Sequence, residues 1–414
     1  MTKASPKIHQ VLATLGYGDA IGHEALGIQR ALRNANFESD IFVETADPKV
    51  ESLTRDFRDL LDVNDPETIL IHHFSIGSKA SRVAFALQKR MILVYHNITP
   101  PEYFIDVHPL LVRQCYRGRR ELSAYVNRCA LALGDSEYNR LELDSLGFKN
   151  TGVLPVVSDF THLEVEPNPF VAECFDDDWT NILFVGRIIP NKRIDDLIHC
   201  FNAYKRINPR SRLLIVGSYS GFEYYLATLH YLVATTGVSD VHFIGQVSNE
   251  ELTSYYDIGD LYFCASEHEG FCVPLVEAFF KRLPVLAYAS TAVPATMDGG
   301  GVLYDTKDPI SVASLMETIL TNTSLREKTL ESQDMALQRL LDKDFGATLL
   351  SFVRKVMASP HQQEYRVTSN FWDQLALADK LEDLRTYRPG IFRALPAQPS
   401  HLKKSLSVVS DGKP

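Results

Sequence analysis

Two carboxylates eight positions apart, Glu269 and Glu277, stand in the run Ser266-Glu-His-Glu-Gly-Phe-Cys-Val-Pro-Leu-Val-Glu277-Ala. The preceding run, Asp260-Leu-Tyr-Phe-Cys-Ala, reads as a buried strand. Pro274 suits the first helical position, where its fixed φ helps and its missing N–H costs nothing. The order is therefore strand, polar loop, helix. A helix N-terminus offers unpaired N–H groups and a positive dipole end, a seat for phosphate. Glu269 lies in the loop beside that seat with Gly270 and Phe271, and Cys272 and Val273 lead into the helix. Glu277 falls about one turn inside, where it can accept hydrogen bonds from hydroxyls. A phosphate seat flanked by two hydroxyl acceptors suits a nucleotide sugar. A solvated glutamate on a capped helix would account for the spacing alone, but not for the whole Glu-Gly-Phe-x-x-Pro-x-x-Glu string between strand and helix.

A second cluster lies upstream in Ile182-Leu-Phe-Val-Gly186-Arg187-Ile-Ile-Pro-Asn-Lys192-Arg193. An apolar strand ends at Gly186, and Arg187 and Lys192 follow. In an open parallel sheet, ligands bind beyond the carboxyl ends of the strands, so these two cations fall where a diphosphate would lie. Arg offers a planar fork and Lys a compact charge, both suited to phosphate oxygens. A solvated basic turn is the plainer alternative, and Arg193 fits it best. A nucleotide base would lie against Phe243–Val247, after another strand end at Gly245.

The first half has its own strand-end loops. Gly16-Tyr-Gly18-Asp19-Ala-Ile-Gly22 joins a strand to a helix and lets backbone approach a ligand closely. With Glu44 as a ribose-binding acid, this loop also admits an NAD-dependent dehydrogenase, although the glycine spacing is one residue longer than a dinucleotide fingerprint needs. Further strand ends carry His72-His73-Phe-Ser75 and His96-Asn97. A single strand-end histidine is most often structural, and one of His72 and His73 is expected to be so. Arg113, Arg117 and Arg120 fall on one helical face, with Arg119 elsewhere. They read either as a solvated face or as a surface for anionic lipid headgroups or a lipid-linked diphosphate.

The Glu269–Glu277 string resembles the E-x7-E signature of retaining glycosyltransferases with the two-domain B-type fold, in particular family 4. It departs once, with Cys272 where that family usually has Gly. The resemblance covers most of the chain and is more specific in the second half. It implies that Glu269 holds sugar hydroxyls, Glu277 the ribose, and Arg187 and Lys192 the diphosphate. It further implies a Gly18–Asp19 loop closing over donor and acceptor, and His96 near the donor sugar with Asn97 on the acceptor side. The implied reaction moves a hexose from a nucleoside diphosphate to an acceptor hydroxyl with retention, the leaving phosphate oxygen taking the acceptor proton. No cofactor and no metal are expected. His96-Asn-Ile-Thr-Pro-Pro resembles bacterial polysaccharide or lipopolysaccharide mannosyl- or rhamnosyltransferases. A non-catalytic nucleotide-sugar-binding protein on the same scaffold predicts decayed donor residues, whereas Glu269, Glu277, Arg187 and Lys192 are all present.

The elements that must position these residues alternate throughout. Strands are expected at Ile8–Leu15, Asp40–Val43, Thr68–Ile71, Met91–Tyr95, Leu131–Gly134 and Gly152–Leu154, and again at Asn181–Val185, Arg212–Val216, Val241–Ile244, Leu261–Cys264, Val285–Ala287 and Gly301–Leu303. Helical patterns lie between them. Such alternation predicts an α/β protein of two Rossmann-like domains with covered parallel sheets, and 414 residues suffice for two cores. The domains are placed at residues 1–157 and 181–364, with 158–180 as linker and surface, a helix near 365–390 returning to the first domain, and a disordered tail at 395–414. Net charge of −10 argues against a nucleic-acid binder. Six scattered cysteines without metal spacing fit a reducing cytosol. With no signal peptide and no run long enough to span a bilayer, a cytoplasmic protein is expected, with at most peripheral membrane contact.

Overall fold

The computed structural model describes residues 7–359, except 17, 64, 88, 158 and 176, and residues 380–395, except 382 and 386. The chain divides into two compact units, Met1–His361 and Gln362–Pro414. The first holds two parallel sheets. One contains β1 (Ile8–Leu15), β2 (Ile41–Ala46), β3 (Thr54–Asp56), β4 (Ile69–Phe74), β5 (Arg90–Tyr95), β6 (Leu131–Gly134) and β7 (Thr151–Val153), in the order β3-β2-β1-β4-β5-β6-β7. The other contains β8 (Thr180–Val185), β9 (Ser211–Val216), β10 (Val241–Gly245), β11 (Leu261–Cys264), β12 (Val285–Tyr288) and β13 (Val302–Tyr304), in the order β10-β9-β8-β11-β12-β13. The strand β3 is absent from the sequence expectation. It is three residues of mixed polarity, Thr54-Arg-Asp, at a sheet edge, where no buried face imposes an apolar pattern.

The strands read as continuous apolar runs because both faces are covered. Helices α1 (Ala20–Asn34), α2 (Lys79–Ala86), α3 (Pro109–Ala124) and α4 (Glu137–Ser145) flank the first sheet. The segment between the sheets carries α5 (Pro169–Cys174). Around the second sheet lie α6 (Ile194–Ile207), α7 (Glu223–Thr236), α8 (Asn249–Asp257), α9 (Val273–Phe280), α10 (Val293–Met297), α11 (Pro309–Thr321) and α12 (Thr323–Leu341). Helix starts carry their own signals. Ser78, Ser136 and Asp308 cap α2, α4 and α11, and Ser248 with Glu251 forms a capping box on α8.

In each sheet the order of strands reverses once, between β1 and β4 and between β8 and β11, and a crevice opens at that switch point. Arg187 and Lys192 follow β8, and Glu269 follows β11. The residues singled out by chemistry therefore flank the switch point of the second sheet.

Two expectations about the domain limits are corrected. The segment 158–180 is more than surface, because Phe160, Leu163 and Val171 are buried in the core of the second sheet. Its acids do lie outside, with Asp177 paired to Arg212 and Asp178 to Arg210. The chain also returns to the first sheet earlier than expected. Helix α13 (Phe345–Ala358) buries Leu349, Val353 and Val356 among Ile8, Ile28, Ile69, Ile92 and Leu133. Its apolar spacing at i, i+4 and i+7 is the reason for that burial. It approaches so closely that a Cβ on Gly152 would fall 2.8 Å from Phe352. The stretch from Pro309 to Ala358 thus holds three helices, α11, α12 and α13. The second unit is helical at residues 380–381, 383–385 and 387, and has a short helix at Pro389–Ala394. The remainder of the expected helix at 365–390, and residues 396–414 of the expected tail, lie outside the described residues.

Candidate active site

Helix α9 begins at Val273, one residue before the expected Pro274, and Cys272 is its N-cap. Cys272 has φ 76°. This left-handed backbone is why glycine is the common choice at such a position; with a side chain it costs about 1–2 kcal/mol. The backbone path survives with Cys272 in place, at that strain.

Lys192 donates to both oxygens of Glu269 at 2.6 Å. Burial opposes the ammonium, and Glu269 outweighs it, leaving the Lys192 pKa raised. An ammonium has three donors, so one remains for a phosphate oxygen. The Glu269 loop is fixed from several sides. Glu269 N–H donates to Thr291 at 2.9 Å, Asn191 donates to the His268 carbonyl at 3.0 Å, and Asn97 of the first domain donates to the Glu269 carbonyl at 3.2 Å. Gly270 permits that last approach, since a Cβ there would meet Asn97 Cβ at 3.1 Å and the His96 carbonyl at 3.2 Å. The switch point of the second sheet thus faces the end of β5 in the first.

Arg187 lies with its guanidinium carbon 5.7 Å from the Phe222 ring centroid and, among the described residues, makes no ion pair. Arg193 differs: Asp195, Asp196 and Glu267 all engage it. Glu277 accepts from Tyr256 Oη at 2.8 Å and lies 2.9 Å from His162 Nε2. Gly186, Gly217 and Gly245 end adjacent strands, linked by Gly186 N–H to the Val216 carbonyl and Gly217 N–H to the Gly245 carbonyl. Gly217 is missing from the sequence reading. A Cβ on it would lie 1.9 Å from the Gly186 carbonyl, and its signal was the same apolar-strand-then-glycine step seen at the other two positions.

The ring of His96, expected near the donor sugar, is buried and bonded within the first domain. Gln10 donates its amide to the Ala25 carbonyl at 2.9 Å, which leaves Gln10 Oε1 to accept from His73 Nε2 at 2.9 Å. Burial, then His96, holds the His73 pKa well below its ordinary value, so His73 carries one proton, on Nε2. His73 Nδ1 is then an acceptor, and His96 Nε2, 2.9 Å away, must donate to it. His96 Nδ1 donates to Asp135 at 2.9 Å. His96 is therefore an imidazolium. Burial opposes this, but Asp135 and then Glu24 prevail, bringing its pKa to about 9. Burial and then Asp135 push the Glu24 carboxyl beside it well above the ordinary carboxylate range. Both ring nitrogens of His96 are spent inside the first domain, so it reaches the cleft through its backbone. Gln10 and His73, polar residues within apolar strands, were the signal for this chain. The neighbouring His72 bonds the Val11 carbonyl and is structural.

Gly18, at φ 76°, has open space around it, and Asp19 caps α1 by accepting from Gly22 N–H at 2.5 Å. Glu44, the acid a dehydrogenase would use, instead accepts from the Lys79 and Ala80 N–H groups at the start of α2. Among the described residues, two buried groups have metal-ligand chemistry, Cys264/Glu269/Cys272 and Glu24/His96/Asp135. In each, the protein already supplies the positive charge, from Lys192 and from His96.

The fold is that of the two-domain B-type glycosyltransferases. It is similar to sucrose-phosphate synthase from Thermosynechococcus elongatus (TM-score 0.69, 17% identity, 86% of this chain and 100% of that one). It is also similar to Anabaena HepE solved in complex with UDP-glucose (TM-score 0.63, 16% identity, 86% and 100%). Residues 170–333 match the family described as glycosyl transferases group 1. The O-antigen chain mannosyltransferase B of Escherichia coli is 25% identical over 150 residues, 35% of this chain and 38% of the relative. The alpha-monoglucosyldiacylglycerol synthase of Acholeplasma laidlawii is 28% identical over 267 residues, 59% of this chain and 64% of the relative. The matches therefore span less than two thirds of these relatives, and the stretch that is similar to group 1 glycosyltransferases is the one that carries Arg187, Lys192, Glu269 and Glu277.

Proposed function

We propose that the protein is a retaining glycosyltransferase that moves a hexose from a nucleoside diphosphate sugar to an acceptor hydroxyl. The observation that carries this reading is the Lys192–Glu269 pair beside Glu277 at the switch point, ahead of the α9 N-terminus. Arg187, the remaining N–H of Lys192 and that helix end hold the diphosphate and stabilise it as it leaves. Glu269 accepts from sugar hydroxyls and Glu277 from the ribose. The freed phosphate oxygen takes the acceptor proton on the same face, so no protein base is needed. Similarity to an O-antigen mannosyltransferase favours bacterial polysaccharide or glycolipid synthesis with mannose as the donor sugar, and rhamnose rests on the resemblance of the His96–Pro101 stretch alone. The test is a calorimetric screen of UDP-, GDP-, ADP- and dTDP-sugars and NAD, followed by turnover in excess EDTA. One nucleoside diphosphate sugar should bind more tightly than NAD, and turnover should persist in EDTA. Tight NAD binding with hydride transfer would overturn the reading; loss of activity in EDTA, restored by magnesium or manganese, would overturn its metal-independent form.

Membrane contact through α3 belongs to the same proposal. Arg113 and Arg120 are exposed and Arg117 half-buried on a helix that also exposes Leu110 and Tyr116. This mixture of cations and apolar groups suits an anionic bilayer surface. Among the described residues no helix is long and apolar enough to cross a membrane. Neutralising Arg113, Arg117 and Arg120 together should weaken binding to phosphatidylglycerol vesicles, most at low salt, because exposed charges act over ~10 Å at 0.1 M salt. Nucleoside diphosphate affinity should stay near wild type. Unchanged vesicle binding would reduce α3 to a solvated face.

A further inference from the structure

Glu277 is held by two residues from different parts of the chain. Tyr256, on α8 and fully buried, donates to Oε2 at 2.8 Å. His162 belongs to the segment between the sheets, in the 3-10 turn Thr161–Leu163, and its Nε2 meets Oε1 at 2.9 Å. That turn touches both domains. Asp159, just before it, accepts from Arg30 on α1 at 3.3 Å, and Leu163 at its end is buried in the second-domain core. The His162 ring also meets the His23 ring edge-on at 5.9 Å.

A carboxylate offers about two lone-pair sites on each oxygen. Tyr256 and His162 take one on each, which leaves one on each for a ligand. Two acceptors at fixed spacing match a vicinal diol. We propose that His162 is a positioning residue that sets the rotation of Glu277, so that its two remaining acceptor sites meet the 2′- and 3′-hydroxyls of the donor ribose. The inference rests on the reading of Glu277 as the ribose acceptor.

The positioning depends on charge. The ring donates from Nε2 to Glu277, and a charged imidazolium makes this bond shorter and about twice as strong as a neutral imidazole does. Burial opposes the charge, but Glu277 and then Asp159 raise the His162 pKa above its ordinary value. The charged and titratable groups around the ring are Glu277 on α9, Asp159 with its partner Arg30, and His23 on α1. Burial and then His162 lower the pKa of His23, which stays neutral. With a raised pKa, the charged ring is fully present at low pH and is lost as pH rises through that pKa. Donor affinity should fall in the same window.

The experiment is calorimetry with UDP, GDP and ADP, and with the 2′-deoxy form of whichever binds best, across roughly pH 6 to 9. Wild type, H162A and H162Q are compared. Wild type should lose affinity as pH rises and prefer the ribonucleotide about tenfold. H162A should bind about tenfold more weakly at the acid end, lose the pH dependence and narrow the ribo-to-deoxy preference. H162Q keeps one neutral donor for Glu277, and should recover most of the affinity without the pH dependence. The wild-type titration and H162Q carry the test if H162A does not fold. Wild-type affinity, pH profile and ribose preference in H162A, or in H162Q should H162A not fold, would overturn the role of His162 alone. A wild type that binds none of the three nucleotides would overturn the donor-site reading and this inference with it.

Discussion

Replacing Lys192 by Met should abolish turnover and lower the thermal midpoint together. The ammonium is the partner of Glu269, bonded to both oxygens at 2.6 Å, and Glu269 is 6% exposed. Removing one member of a buried pair strands the other charge, at a cost of about 3–5 kcal/mol. Methionine fills nearly the same volume, so the loss is electrostatic and not a cavity. Turnover should fall by about 1,000-fold or more, the scale for losing a preorganised charge at a reacting centre. The double variant K192M/E269Q separates the two effects. Without the stranded carboxylate it should regain most of the stability and none of the activity. Thermal unfolding and donor turnover measured on the same preparations check this, and a Lys192→Met protein with wild-type midpoint and rate would remove the pair from the mechanism.

Glu277→Ala carries the second large effect, and it should fall on binding. Two hydrogen bonds from ribose hydroxyls to a carboxylate contribute about 1.5–3 kcal/mol each, so nucleoside diphosphate affinity should drop about 100-fold or more. Tyr256 would also lose the nearer partner of its buried hydroxyl, keeping only the Pro274 carbonyl at 3.5 Å, at a cost of about 1–3 kcal/mol of stability. Calorimetric titration with the nucleotide that wild type binds best is the measurement. Wild-type affinity in the variant would end the ribose role of Glu277.

The two Rossmann-like domains were legible because each strand is an apolar run and each helix an amphipathic one, with Gly, Pro and Ser at the joints. That Lys192 and Glu269 follow strand ends was legible too, but their pairing was not, because it depends on β8 and β11 being neighbours in the sheet. Residues whose role depends on a distant partner were not legible either. His162 sits in a Pro- and Asp-rich stretch that looks like linker, and its reason for being there lies 115 positions away at Glu277. Tyr256 reads as an ordinary core residue of α8. Strand-end position placed His96 at the cleft rim, but ring direction is set by Gln10, His73 and Asp135, which come from three other strands or their ends. In α13 the apolar spacing was visible, while the sheet it covers was not, because periodicity reveals a face and not its partner.

Helix α13 has a consequence for the order in which the molecule can be made. Leu349, Val353 and Val356 complete the core around Ile8, Ile28, Ile92 and Leu133, yet they leave the ribosome about 200 residues after β7. At about 5–20 residues per second that delay is on the order of ten seconds or more. During it the nascent N-terminal sheet shows water an apolar strip that has no local cover, a state open to chaperone capture or to sticking between neighbouring chains on one messenger. Residues 1–157 therefore make an incomplete fragment. A gene fusion or truncation that respects the apparent boundary near residue 157 cuts the first domain from its own last helix.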